Sequence, residues 1–177
     1  MNRITMIENR NANPEQKGLL DSIERQLGAV PNYLRVLANS PAALKAFLGL
    51  HRIAGEGSLT PQTRERIALA LAQQNACAYD LSAHIASGRE SGLTGDEMAA
   101  NREGCSEDAR ALVAVKLARR LAECIGEIST AELVEARAAG YTDADIVEIV
   151  THVGLNLLTN TLSNASRVEI DFPKITP

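Results

Sequence analysis

Apolar residues return along this chain every three or four positions, and no segment sustains the every-second-residue alternation of a strand. In "SEDARALVAVKLARRLAECIG", Leu112, Val115, Ala118 and Leu121 fall near one helical face. Helix-start chemistry precedes most such blocks. Asn13, Pro14 and Gln16 supply a cap, a first-turn proline and a capping-box partner, so a helix is expected to Leu27, stopped by Gly28. "VPNYLRVLANSPAALKAFLGLHRIAG" predicts a short helix near 31–38 and a second near 41–54, restarted by Ser40 before Pro41. Thr60 and Pro61 open a helix that carries an apolar run over 67–72. After the polar break Gln73-Gln74-Asn75, Asn75 is the expected cap of a helix from about Ala76 to the Gly88–Gly92 region. A short helix follows Thr94, a long one follows Ser106, and "STAELVEARAAG" and "YTDADIVEIVTHVGLNLLTNTLSNASRVEI" complete the set. The expected fold is all-α, a bundle of short capped helices.

One punctuation recurs. Gly92-Leu93-Thr94-Gly95-Asp96-Glu97-Met98 is similar to Gly140-Tyr141-Thr142-Asp143-Ala144-Asp145-Ile146. Each joins a glycine helix stop to an apolar staple, a Thr cap and a first turn rich in acids. Duplication and convergence both produce that pattern.

Composition narrows the picture. The 177 residues suit a single domain, 1–177, with 1–55 a helical lead-in and 56–177 the core. Hydrophobic residues make up 45% but aromatics only 3%, so Leu, Ile, Val and Ala must fill the interior. The formal charge of −4 comes with no basic run able to follow a phosphate backbone, so nucleic acid is not an expected partner. "MNRITMIENRN" lacks a secretory apolar run, and nothing approaches the roughly 20 apolar residues of a membrane span, so a cytoplasmic protein without a membrane partner is expected. Cysteines 77, 105 and 124 are odd in number and scattered, which fits neither a disulfide framework nor a closed metal set. No metal and no cofactor are expected.

The chemical interest lies in "NACAYDLSAH", residues 75–84. Helical spacing puts Cys77, Asp80 and His84 on one stripe, with Tyr79 and Leu81 as apolar shelter. A first-turn position favours a thiolate at Cys77. Asp80 opposes it: at about 6 Å and an effective dielectric near 20, two charges interact by roughly 2.8 kcal/mol, about two pKa units. Asp80 is therefore expected to raise the Cys77 pKa and to hold His84 as a cation. The plainer readings are a buried core cysteine at 77 and ordinary early-helix acids at 65 and 80.

Glu65, Cys77, position 80 and His84 stand at the spacing Glu-x11-Cys-x2-Cys-x3-His, and the chain resembles the alkylhydroperoxidase D family of the carboxymuconolactone decarboxylase superfamily. "VPNYLRVLANSPAALKAFLGL", "SLTPQTRERIALALAQQNACAY", "GYTDADIVEIVTHVGLNLLTN" and "EIDFPKI" resemble its peroxidase-related branch. The resemblance implies an all-helical homo-oligomer and an antioxidant, peroxiredoxin-type oxidoreductase acting on alkyl hydroperoxides. It implies that Glu65 and His84 relay protons, that the second Cys attacks peroxide, and that the first resolves the sulfenic acid. Two positions depart from the pattern. Asp80 stands where the attacking Cys belongs, and Ser163-Asn164-Ala165 stands where relatives carry Asn-His. A carboxylate cannot reduce a peroxide, so dithiol turnover is expected to be impaired.

Three functional readings remain open: impaired peroxidase using Cys77 with an external thiol reductant; non-redox proton transfer by Glu65, Asp80 and His84 on a small carbonyl or lactone acid; and a catalytically silent oligomer that binds a ligand or partner. Cys105 reads as a loop residue and Cys124 as a packed one, either able to resolve Cys77 only if folding brings it close. His51 reads as a surface or packed residue. His152, Asn156, Asn160, Ser163 and Asn164 form a polar stripe through an apolar helix, either a solvated face or, with Tyr79, a pocket wall or subunit contact.

Overall fold

The computed structural model describes residues 2–177, which form nine helices and no strand among the described residues. They are α1 Pro14–Leu27, α2 Asn32–Leu37, α3 Pro41–Gly55, α4 Pro61–Gln74, α5 Ala78–Glu90, α6 Gly95–Arg102, α7 Ala109–Glu123, α8 Thr130–Ala138 and α9 Asp143–Ser166. The all-α expectation holds, and so do most of the caps. Asn13 and Gln16 form a complete capping box, Ser40 and Thr60 cap α3 and α4, and Gly28 ends α1 in the left-handed region. Two caps differ. Asp108 rather than Ser106 caps α7, because the Ser106 hydroxyl is drawn to the buried Glu97 carboxylate. Cys77 rather than Asn75 occupies the N-cap of α5, because Asn75 ends α4.

α4 is the central helix. Ile67, Ala68, Leu69, Ala70, Leu71 and Ala72 are buried one after another, so this helix is enclosed on all sides. It packs on α5, α6, α7 and α9, and its alanines let those neighbours come close. One cluster joins α4 to α7 and α9 through Ile67, Leu71, Leu117 and Ile149. A second packs α1, α2 and α3 against Leu155 of α9. The loop before α4 is fixed to α9, where the Ser58 and Leu59 amides each donate to the Glu148 carboxylate at 3.0 Å. Arg66 of α4 meets the buried Glu97 of α6 at 2.6 Å. The register of α4, which carries Glu65, is therefore set from both ends of the bundle.

The two similar turns both form stop-and-restart junctions. Gly92 and Gly140 take φ of 91° and 87°, Leu93 and Tyr141 are buried beside them, and Thr94 and Thr142 cap α6 and α9. Beyond α9 the chain runs back over α5. The Ile175 amide donates to Ser82 Oγ at 2.9 Å, and Asp171 accepts from Tyr79 Oη at 2.7 Å. Among the described residues no helix is long and apolar enough to cross a membrane.

Candidate functional site

The turn between α4 and α5 is built under strain. Ala76 adopts φ 48°, the left-handed region that costs a non-glycine residue roughly 1–2 kcal/mol. The Cys77 amide closes the turn on the Ala72 carbonyl at 2.8 Å. α9 holds it there: Asn164 donates to the Asn75 carbonyl at 2.9 Å, and the Asn75 side-chain amide donates to Asn160 Oδ1 at 2.8 Å. Part of the polar stripe on α9 is thus spent inside the chain, not on solvent.

Asn160 continues the network. It and Ser163 both donate to the Asp80 carboxylate, Ser163 at 3.2 Å. Asp80 is buried, and its charge is met by an amide and a hydroxyl rather than by a cation. Hydrogen bonds to a charged group each contribute about 1.5–3 kcal/mol, so the pair offsets much of the cost of burying this carboxylate.

Glu65 on α4 and His84 on α5 meet across the helix pair, with His84 Nδ1 2.9 Å from Glu65 Oε2. Burial alone would lower the His84 pKa. The Glu65 carboxylate outweighs it by charge and hydrogen bond, Asp80 adds a smaller push, and the net pKa lies above 6.5. The upward shift expected from sequence is present, but its main source is Glu65 rather than Asp80. A proton NMR titration of the His84 ring should therefore give a midpoint above 6.5 in the wild type. In Glu65→Gln it should fall below 6.5, because only the weaker Asp80 effect then opposes burial. An unchanged midpoint would show that Glu65 does not set the charge of this ring.

These residues face a cavity of about 620 Å³. Its wall includes Glu65, Asp80 and His84, and also Tyr79, His152 and Asn156 of the residues singled out from sequence. Asn160 is not on the wall but supports Asp80 from behind. Sequence reasoning missed Tyr33, Phe47, Arg64 and Phe172 and set His51 aside, yet all five line this cavity. They come from α2, α3, α4 and the C-terminal tail, so no spacing links them. The scarcity of aromatic residues was the one available signal.

Cys77 does not line the cavity. Its accessible surface is 0%, and it packs with Val36, Tyr79 and Val168 behind the wall. The thiol pKa is pushed up to about 12, first by burial and then by the Asp80 carboxylate; the nearby Asp80 and Tyr79 N–H groups and the Ser163 hydroxyl pull the other way and do not offset it. The sequence reading made charge repulsion the main cause, whereas burial is the larger one. Of the two expected shelters, Tyr79 covers the sulfur, while Leu81 points into a separate cluster with Leu69 and Met98. In a variant lacking Cys105 and Cys124, iodoacetamide should label Cys77 slowly at neutral pH. Asp80→Asn should lower its pKa without restoring the ordinary 9.0. Fast labelling of the parent protein would refute the sealed thiol.

The other cysteines stand apart in burial: Cys105 is exposed and Cys124 half-buried, and all three thiols are free. No group of three His, Cys, Asp or Glu side chains among the described residues is arranged to hold a metal ion. A separate groove of about 470 Å³ is lined by surface chains such as Arg120, Glu123 and Glu132, and none of the four signature residues reaches it.

Known proteins place this arrangement in context. A sequence model of the carboxymuconolactone decarboxylase family matches residues 41–123, the stretch that carries Glu65, Cys77, Asp80 and His84. An uncharacterized peroxidase-related protein from Silicibacter sp. TM1040 shares 29% identity over 94% of this chain and 92% of its own, with a TM-score of 0.80. A peroxidase-related protein with an alkylhydroperoxidase AhpD core, from Ralstonia eutropha JMP134, superimposes with a TM-score of 0.84 at 24% identity, over 96% of this chain and 92% of its own. The debrominase Bmp8, solved with 2,3,4-tribromopyrrole, shares the fold at a TM-score of 0.76 and 17% identity, over 96% of this chain and 91% of its own. No curated protein matches the sequence. The all-helical fold, the family match over α3 to α7 and the peroxidase-related neighbours support the alkylhydroperoxidase D-like resemblance within the carboxymuconolactone decarboxylase superfamily.

Proposed function

We propose that this protein is a non-redox acid–base enzyme that moves a proton on a small carbonyl compound. The observation that carries the reading is the division of the signature residues. Glu65, Asp80 and His84 line the cavity, and the only thiol of the set is sealed behind it. His84 serves as general acid through the ring edge opposite its Glu65-bound Nδ1. Glu65 keeps the ring charged and correctly oriented. Asp80, an acceptor fixed by Asn160 and Ser163, takes or orients a substrate proton.

The test is exchange of carbon-bound hydrogen for deuterium in small enolisable ring ketones and lactones, followed by proton NMR. Exchange above the uncatalysed rate that survives Cys77→Ser supports the reading. Exchange that disappears with Cys77→Ser would return the chemistry to the thiol.

A second reading, thiol-dependent peroxide reduction with an external reductant, is favoured by the intact Glu65–His84 pair and by the peroxidase-related neighbour at 29% identity. In that reading the relay persists and the attacking sulfur at position 80 is what has been lost.

A further inference from the structure

The chain contains three Tyr and two Phe, and four of these five, Tyr33, Phe47, Tyr79 and Phe172, line the one cavity that holds Glu65 and His84. They form a continuous edge-to-face series. Phe47 to Tyr33 and Tyr33 to Tyr79 are each 5.7 Å between centroids, and Tyr79 to Phe172 is 5.8 Å. Elsewhere the buried core holds one aromatic residue, Tyr141, among aliphatic side chains, so this concentration is not a general property of the core. Edge-to-face and offset contacts at such distances favour a further aromatic ring over an aliphatic one of equal size.

The polar part of the wall narrows the ligand. Four carboxylates, Glu65, Asp80, Glu90 and Asp171, face the cavity against the Arg64 guanidinium and the His84 ring, whose pKa is raised. An anionic ligand would enter against that balance. His152 is 8% exposed and lines the cavity, and its buried Nε2 has no hydrogen-bond partner among the described residues. Burial and then Arg64 lower its pKa against smaller pulls from a bond to the Ala54 backbone and from Glu148, so the ring is mainly neutral at pH 7. A hydroxyl can pair with a neutral imidazole nitrogen in either tautomer, because it both donates and accepts. An unpartnered buried polar atom costs about 1–3 kcal/mol in general, so a ligand that satisfies one gains affinity from it.

We propose that the cavity binds a small uncharged phenol, its ring against the Tyr33–Phe47–Tyr79–Phe172 series and its hydroxyl toward His152. The inference rests on the reading of this cavity as the active site and specifies its substrate class: a hydroxylated aromatic ring or the ring enol that it resembles, rather than an organic acid.

Calorimetry on the wild-type protein at neutral pH tests it with four probes of similar size: p-cresol, p-methylanisole, methylcyclohexanol and p-toluate. The anisole lacks the donor, the cyclohexanol lacks the aromatic ring, and the toluate carries a charge. p-Cresol should bind at least about tenfold more tightly than each of the others. His152→Phe, which keeps an aromatic ring and removes the nitrogen, should bring cresol down toward anisole. Tyr33→Leu should bring it down toward the cyclohexanol. Tightest binding of p-toluate, equal binding of all four, or binding of none would overturn the proposal, and the wild-type series alone is enough to do so. No turnover enters the measurement. Cresol preference in a protein that catalyses no exchange would sink the acid–base reading and leave the ligand class standing. Exchange activity without cresol preference would do the reverse.

Discussion

Glu65→Gln should slow catalysed carbon–hydrogen exchange by about 100-fold or more, roughly 2.7 kcal/mol of barrier, while Cys77→Ser stays within about twofold of wild type. Gln matches Glu in size and can still reach His84 Nδ1, so the cavity keeps its shape. What it removes is the charge that, together with the hydrogen bond, outweighs burial at the His84 ring. The direction with pH follows from the shift. A raised histidine pKa keeps the acid form present through 6.5, and that form is lost only as pH climbs through the higher folded value. In Glu65→Gln the loss should begin below 6.5, so the variant's deficit should shrink in acid and widen toward neutral pH. A merely structural role for Glu65 would lower the rate equally at every pH. A variant within about threefold of wild type at neutral pH would remove Glu65 from the chemistry.

Asp80→Cys should raise consumption of an alkyl hydroperoxide, with a dithiol reductant, by at least roughly tenfold, about 1.4 kcal/mol of barrier. The cavity makes this expectation more specific than the spacing alone. Position 80 faces the cavity and Cys77 lies behind the wall, so a thiol at 80 is the one a peroxide would meet. Asn160 and Ser163, which now donate to the carboxylate, would donate to the thiolate instead. The substitution also removes the carboxylate that helps hold the Cys77 thiol protonated. The thiolate at 80 attacks the peroxide oxygen and releases alcohol; the resulting sulfenic acid loses water as Cys77 closes a disulfide, and the dithiol reductant reopens it. Adding Glu65→Gln or His84→Ala should remove most of the gain. A wild type already as fast as Asp80→Cys would show that the carboxylate is no obstacle to peroxide reduction. A variant that gains nothing would show that more than one residue separates this cavity from a peroxidase.

The helices were legible in the sequence because their signals are local. A capping box at Asn13 and Gln16, prolines at 14, 41 and 61, and glycine stops at 28, 92 and 140 act within a turn of where they stand. The Glu65, position 80 and His84 set was legible as well, because α4 and α5 are adjacent in the chain and their spacing carries the register. The errors fell where a local signal met a distant partner. Ser106 reads as a cap until Glu97 claims its hydroxyl, and Asn75 reads as the start of α5 until α9 holds it at the end of α4. Ala76 in the left-handed region would be read as glycine territory from sequence, and only the Asn160 and Asn164 contacts around it explain how alanine is kept there.

Which side of the wall each group occupies was beyond the sequence altogether. Cys77 and Asp80 share one helical turn, yet one is sealed with Val36 and Val168 and the other lines a cavity. That difference is set by α2, α9 and the tail, which are distant in sequence. The chain by itself determined its helices, its family resemblance and the spacing that brings Glu65, position 80 and His84 together, since propensity, capping and spacing act over a few residues. Only the tertiary structure decided that the thiol is withdrawn, that the polar stripe of α9 holds the turn and the carboxylate, and that four scattered aromatics share one cavity. Burial and desolvation depend on what packs from outside the local segment, and they govern both the reactivity of a sulfur and the ligand that a cavity accepts.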